Sequence, residues 1–129
     1  MKSRLYPIKF QPILKEKIWG GNKLKTVLNK ETNLNNVGES WEISDVEGDA
    51  SIVLNGEFKG QSIKNLIKDF TSDFIGLKNH ENFGNKFPLL IKFIDAKQDL
   101  SIQLHPNDEL AAKRHNSFGK TEMWYVMNT

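Results

Sequence analysis

Leu100-Ser101-Ile102-Gln103-Leu104-His105-Pro106 and, further on, Gly119-Lys120-Thr121-Glu122-Met123-Trp124-Tyr125 alternate apolar with polar residues. Period-two alternation is the mark of a half-buried strand, so each stretch is expected to be one. The first then carries Ser101, Gln103 and His105 on one face, and the second carries Lys120 and Glu122 on one face. An imidazole, an amide, a carboxylate and an ammonium each need a partner once removed from water, so such a polar file points to a site.

Side chains at i and i+2 of a strand lie roughly 7 Å apart on the same face, so Gln103 and His105 can converge on one ion above the sheet, with Glu122 supplied by a neighbouring strand. At neutral pH an ordinary imidazole is largely uncharged and an ordinary carboxylate is ionised, and both are ready to ligate. Nitrogen and oxygen donors without thiolate suit Zn²⁺, and also Mn²⁺, Fe²⁺ or Co²⁺. The plainer readings are a satisfied strand histidine for His105 and an ion pair on a solvated edge for Lys120 and Glu122. His80 and His115, each among polar neighbours, are read as satisfied core or surface residues rather than ligands, and Trp19, Trp41 and Trp124 as core anchors.

Outward from that file, Asn107 or Asp108 is expected to cap a short helix through Arg114, and Met123–Met127 to return as a strand. Phe87 to Pro106 has a strand-like pattern with a turn near Lys97-Gln98-Asp99. Ser62 caps a helix in which Ile63, Leu66, Ile67 and Phe70 recur at helical spacing. Asn55-Gly56, the dipeptide of tight primed turns, places a hairpin over Ser51–Phe58. Ser40–Ser44 is a short strand, residues 29–38 are a surface loop, and Tyr6–Trp19 is extended edge structure ended by a turn at Gly20-Gly21. Many strands with two helices describe a mainly β domain.

The 129 residues suffice for a single domain, 1–129, burying roughly two-thirds of its unfolded surface. Apolar content of 38% with 26% charged residues is ordinary for a soluble protein, and a net charge of +2 with scattered Lys and Arg argues against nucleic acid. No apolar run approaches the roughly 20 residues of a membrane span or forms a signal peptide, so no membrane partner is expected and the location is read as cytoplasmic. Without cysteine there are no disulfides or thiolate metal sites. Gly119-Lys120-Thr121 has the ending of a phosphate-binding loop, but Arg114 stands where that loop needs its first glycine, and nucleotide binding is rejected.

Four motifs in order give the chain a relative: Ile18-Trp19-Gly20-Gly21, Gly38-Glu39-Ser40-Trp41-Glu42-Ile43-Ser44, Leu100–Asp108 and Gly119–Tyr125. Together they resemble the type I mannose-6-phosphate isomerases, zinc enzymes with a cupin-like (jelly-roll) β-barrel. The resemblance implies that Gln103, His105 and Glu122 match metal ligands, and that Ser101 and Lys120 line the substrate pocket, with Lys120 catalytic. It implies Zn²⁺ as cofactor, a phosphorylated hexose as substrate, and interconversion of mannose 6-phosphate and fructose 6-phosphate through an enediol, an activity of carbohydrate metabolism. An ordinary ammonium is protonated at pH 7, which favours an electrostatic role for Lys120. Family members continue beyond this length, with a further histidine ligand and a catalytic arginine. The chain is therefore expected to be the N-terminal part of such an isomerase, its barrel incomplete and its own turnover small. The rival expectation is a non-catalytic cupin-like module that binds metal or sugar.

Overall fold

The computed structural model describes residues 4–127, which divide into two compact units, 4–99 and 100–127. The first unit is built on a three-stranded antiparallel sheet in the order β1 (Ile13–Gly21), β2 (Val37–Ile43), β3 (Ile91–Ile94). β2 is central: Trp41 faces Ile13 of β1 and Lys92 of β3, and Ser40 faces Leu14 and Phe93. A bulge interrupts the β1 register after Lys15. Four short helices accompany the sheet: α1 (Lys23–Thr26), α2 (Ile63–Phe70), α3 (Ser72–Ile75) and α4 (Leu77–Phe83).

α2 forms where its apolar spacing and cap foretell it. Ser62 is extended and its side chain accepts from the Asn65 N–H, satisfying one of the orphan donors of the first turn. Ile63, Leu66 and Ile67 fall on one face and are essentially fully buried. That face organises two apolar clusters. Leu66 packs with Val53 and Phe58 beneath Leu5, Tyr6, Ile8, Phe10, Phe70 and Phe74. Ile63 and Ile67 pack with Ile75 against Phe10, Ile43, Ala50, Phe74 and Phe87. The Phe58 ring stacks on Tyr6 at 5.2 Å and meets Phe70 edge-on at 5.3 Å.

One carboxylate ties the sheet together. Glu39 of β2 is buried, accepting from Trp41 Nε1 at 2.9 Å and from Lys92 Nζ of β3 at 2.9 Å, with Lys17 Nζ of β1 at 3.8 Å. Burial works to raise the Glu39 carboxyl, but the hydrogen bonds from Lys92 and Trp41 and the charges of Lys92 and Lys17 outweigh it, holding the group below the ordinary carboxylate range.

Several expected boundaries differ. Gly20-Gly21 does not turn the chain: β1 runs through it, because Gly20 bridges Ala96 and the Gly21 N–H donates to the Asp95 carbonyl. The last residues of the expected loop 29–38 belong to β2, which starts at Val37. Ser51–Phe58 is not a tight hairpin. Val53 bridges Phe10 and exchanges backbone hydrogen bonds with Gly60 and Gln61, so the connection is wider, and this widening carries the Phe58 ring into the core.

The second unit contains α5 (Asp108–His115), whose N-cap Asn107 accepts from the Leu110 N–H at 2.9 Å. No strand occurs among its described residues, so the strands expected over Leu100–Pro106, over Gly119–Tyr125 and over Met123–Met127 are not formed there. A strand requires a hydrogen-bonded neighbour, and within this unit one backbone bond, from the Lys120 N–H to the Pro106 carbonyl, joins the two segments. Ile102, Leu104 and Met123 are exposed accordingly. The described residues form no closed barrel, and helices stand beside a small sheet where a mainly β domain was expected. None of these helices is long and apolar enough to cross a membrane.

Candidate metal centre

The N-terminus of α5 is where the two motif segments of the second unit meet. Asn107 caps the helix, and the neighbouring Asp108 turns its carboxylate to accept the Gly119 N–H at 2.9 Å. The Lys120 N–H follows with a 3.3 Å bond to the Pro106 carbonyl. The approach is close enough to require glycine: a Cβ on Gly119 would lie 2.5 Å from the Asp108 nitrogen and 2.6 Å from the Asn107 carbonyl carbon. This seam fixes residues 119–122 alongside His105-Pro106.

The consequence is a cluster of three polar side chains. Glu122 Oε1 takes the Lys120 Nζ at 2.9 Å, and Glu122 Oε2 lies 3.6 Å from His105 Nε2. His105 and Glu122 are each about two-thirds covered, while Lys120 is more open. Two donors bound at about 2.0–2.1 Å to one tetrahedral zinc stand about 3.3 Å apart, so the His105–Glu122 separation fits two ligands of a single ion. Lys120 then neutralises the carboxylate oxygen that faces away from the imidazole.

Of the five residues singled out by the polar file, the structure thus brings together His105, Lys120 and Glu122. It leaves Ser101 and Gln103 exposed, and neither makes a hydrogen bond to that cluster. Among the described residues no group of three or more His, Asp or Glu side chains is arranged to hold a metal, so the nitrogen and carboxylate donors that converge number two.

Arg114, read from the sequence only as the end of a short helix, and His115, not read as a ligand, line a cleft of about 330 Å³ together with His105, Leu104, Pro106 and Leu110. The available signal was weak. Leu110 and Arg114 share a helical face by their i, i+4 spacing, but that the face turns toward His105 follows from the path of the chain into α5.

Comparisons with known proteins agree with the resemblance. Residues 8–124 match the family model of the phosphomannose isomerase type I catalytic domain. Mannose-6-phosphate isomerase ManA of Bacillus subtilis is 39% identical over 127 residues, covering 95% of this chain and 37% of that protein. The mannose-6-phosphate isomerase of Streptococcus mutans is 36% identical over 126 residues, with 95% and 37% coverage. The crystal structure of the Bacillus subtilis mannose 6-phosphate isomerase superposes with a TM-score of 0.77 at 36% identity, over 88% of this chain and 35% of that one. The chain therefore spans a little over a third of the length of the curated relatives it matches. Matched by the family model over residues 8–124, the chain belongs to the type I phosphomannose isomerase family.

Proposed function

We propose that this chain is a single N-terminal, cupin-like part of a zinc-dependent aldose–ketose isomerase that interconverts mannose 6-phosphate and fructose 6-phosphate through an enediol. The observation that carries the proposal is the convergence of His105, Lys120 and Glu122 from two separate segments onto one spot. His105 and Glu122 would hold the zinc, and Gln103, exposed in this structure, would have to turn inward to add an amide oxygen as a third ligand. When bound, zinc supplies Lewis acidity toward the sugar oxygens at C1 and C2. Lys120 is the catalytic cation: its ammonium sits 2.9 Å from Glu122 and would stabilise negative charge developing on a substrate oxygen in the enediol step. Ser101 offers a hydroxyl to the substrate, and Lys120 also engages a substrate oxygen.

A second reading, a non-catalytic metal- or sugar-binding module, is favoured by the two converging donors among the described residues, where a catalytic zinc ordinarily has three protein ligands. Zinc content after equilibrium dialysis, measured by elemental analysis, tests the ligand assignment. The wild-type chain takes up zinc and Glu122→Ala loses it; stoichiometric zinc in Glu122→Ala would overturn the site. Formation of fructose 6-phosphate from mannose 6-phosphate in a coupled assay then separates the enzyme from the binder.

A further inference from the structure

Asn55-Gly56 takes no part in the site above, yet it is the dipeptide in which backbone attack on an asparagine side chain is least hindered. The fold obliges the chain to keep both residues. Gly56 has φ +64°, a left-handed conformation, and a Cβ there would lie on the Tyr6 ring. Asn55 is gripped at both ends of its amide: Oδ1 accepts the Lys9 N–H at 2.7 Å, and Nδ2 donates to the Pro7 carbonyl at 3.0 Å. The same strap closes over the turn a second time, since Tyr6 Oη donates to the Asn55 carbonyl at 2.8 Å and accepts from the Phe58 N–H at 2.8 Å.

We propose that Asn55 is a conformationally gated deamidation site, held shut by the Tyr6–Lys9 strap and opened when the strap lifts. In the reaction the Gly56 backbone nitrogen, losing its proton, forms a bond to Asn55 Cγ. The Cγ–Nδ2 bond breaks, and ammonia leaves a succinimide. Water then opens the ring to aspartate or isoaspartate. In the folded chain the amide cannot rotate onto the Gly56 nitrogen without breaking the bonds to Lys9 and Pro7. After reaction the gate cannot close again: the donor that faced the Pro7 carbonyl has become a carboxylate oxygen, acceptor against acceptor. The strap supplies Leu5, Tyr6, Ile8 and Phe10 as cover for Val53, Phe58 and Leu66, so deamidation converts a transient opening into a lasting exposure of that cluster.

Peptide mapping by mass spectrometry after incubation in mildly alkaline, ammonium-free buffer reads the rate at Asn55. The folded chain reacts at least roughly thirtyfold more slowly than the chain in denaturant, the factor that the two Asn55 amide bonds alone impose, before the Tyr6 bonds and the apolar cover of the strap are added. Tyr6→Phe, which removes the second closure, speeds the folded chain severalfold. Asn55→Asp, carrying the product, accelerates amide hydrogen exchange at Lys9 and Leu54, the latter bonded to the Lys9 carbonyl. Equal rates in the folded and denatured wild type would overturn the gate, and that pair decides the case if Tyr6→Phe fails to fold. Unchanged exchange in Asn55→Asp would overturn the lasting opening.

Discussion

Replacing Glu39 by Gln keeps the shape of the side chain and one carbonyl acceptor but removes the charge that Lys92, Trp41 and Lys17 surround. Trp41 Nε1 bonds Oε2 and Lys92 Nζ bonds Oε1, so the Gln amide keeps one of these bonds and turns its NH2 toward the other donor; with charged acceptors worth about 1.5–3 kcal/mol and neutral ones about 1, the loss is at least about 2 kcal/mol. Lys92 is then left without its counter-ion while its side chain is only 19% exposed, which brings the expected loss toward about 3 kcal/mol. Lys17, 3.8 Å away and more open to solvent, adds little. Urea unfolding at neutral pH measures this as a lower midpoint with an unchanged slope. The pH dependence has a definite sign. Because folding holds the Glu39 carboxyl below its ordinary value, its contribution is complete above the unfolded-state value and is lost as pH falls through the lower folded-state value. The difference between wild type and Glu39→Gln is therefore steady near neutrality and shrinks on the acid side of the ordinary carboxylate range. A variant as stable as wild type at neutral pH, or a difference that persists undiminished into acid, would show that the Glu39 charge does not hold the sheet together.

Leu66→Ala empties a fully buried position between α2 and Phe58 and should cost about 2–5 kcal/mol in the same unfolding assay. Gly119→Ala forces a Cβ against Asn107 and Asp108 and should displace Glu122 from His105, seen as weakened zinc uptake in dialysis with the sheet unit's thermal unfolding unchanged. In a full-length isomerase carrying this segment, Lys120→Ala should keep the zinc content and lose turnover of mannose 6-phosphate; normal turnover would reduce Lys120 to a structural partner of Glu122.

What could be read from the sequence was whatever local chemistry determines. Ser62 with Ile63, Leu66, Ile67 and Phe70 defines α2, and Asn107 defines the start of α5, because caps and helical periodicity act within a few residues. Partners distant in the chain were not legible. Val53 pairs with Phe10 and with Gly60-Gln61, so the turn signal of Asn55-Gly56 was sound while its expected register was not. Gly20-Gly21 admits either a bend or an extended strand, and the bonds to Asp95 and Ala96 choose the strand. At the site, the meeting of His105, Lys120 and Glu122 was anticipated, but through paired strands, whereas the seam at Gly119 and Asp108 produces it. Alternation in Leu100–Pro106 describes how side chains would divide if a ladder formed, and it cannot supply the neighbouring strand.

The central position of β2 has a consequence for how the sheet comes together in time. β1 and β2 are separated along the chain by a short link, whereas β3 joins β2 only after α2, α3 and α4 have been traversed. The longer closure costs about 1 kcal/mol more in chain entropy, and it brings β3 home only once Ile43 and Phe87 can share the cluster around Ile63 and Ile67. Folding should therefore proceed from a β1–β2 pair and an α2-centred nucleus, with β3 pairing last along the free side of β2. Until then β2 presents a bare row of backbone donors and acceptors, which makes the interval before β3 arrives the moment of greatest risk of intermolecular strand pairing.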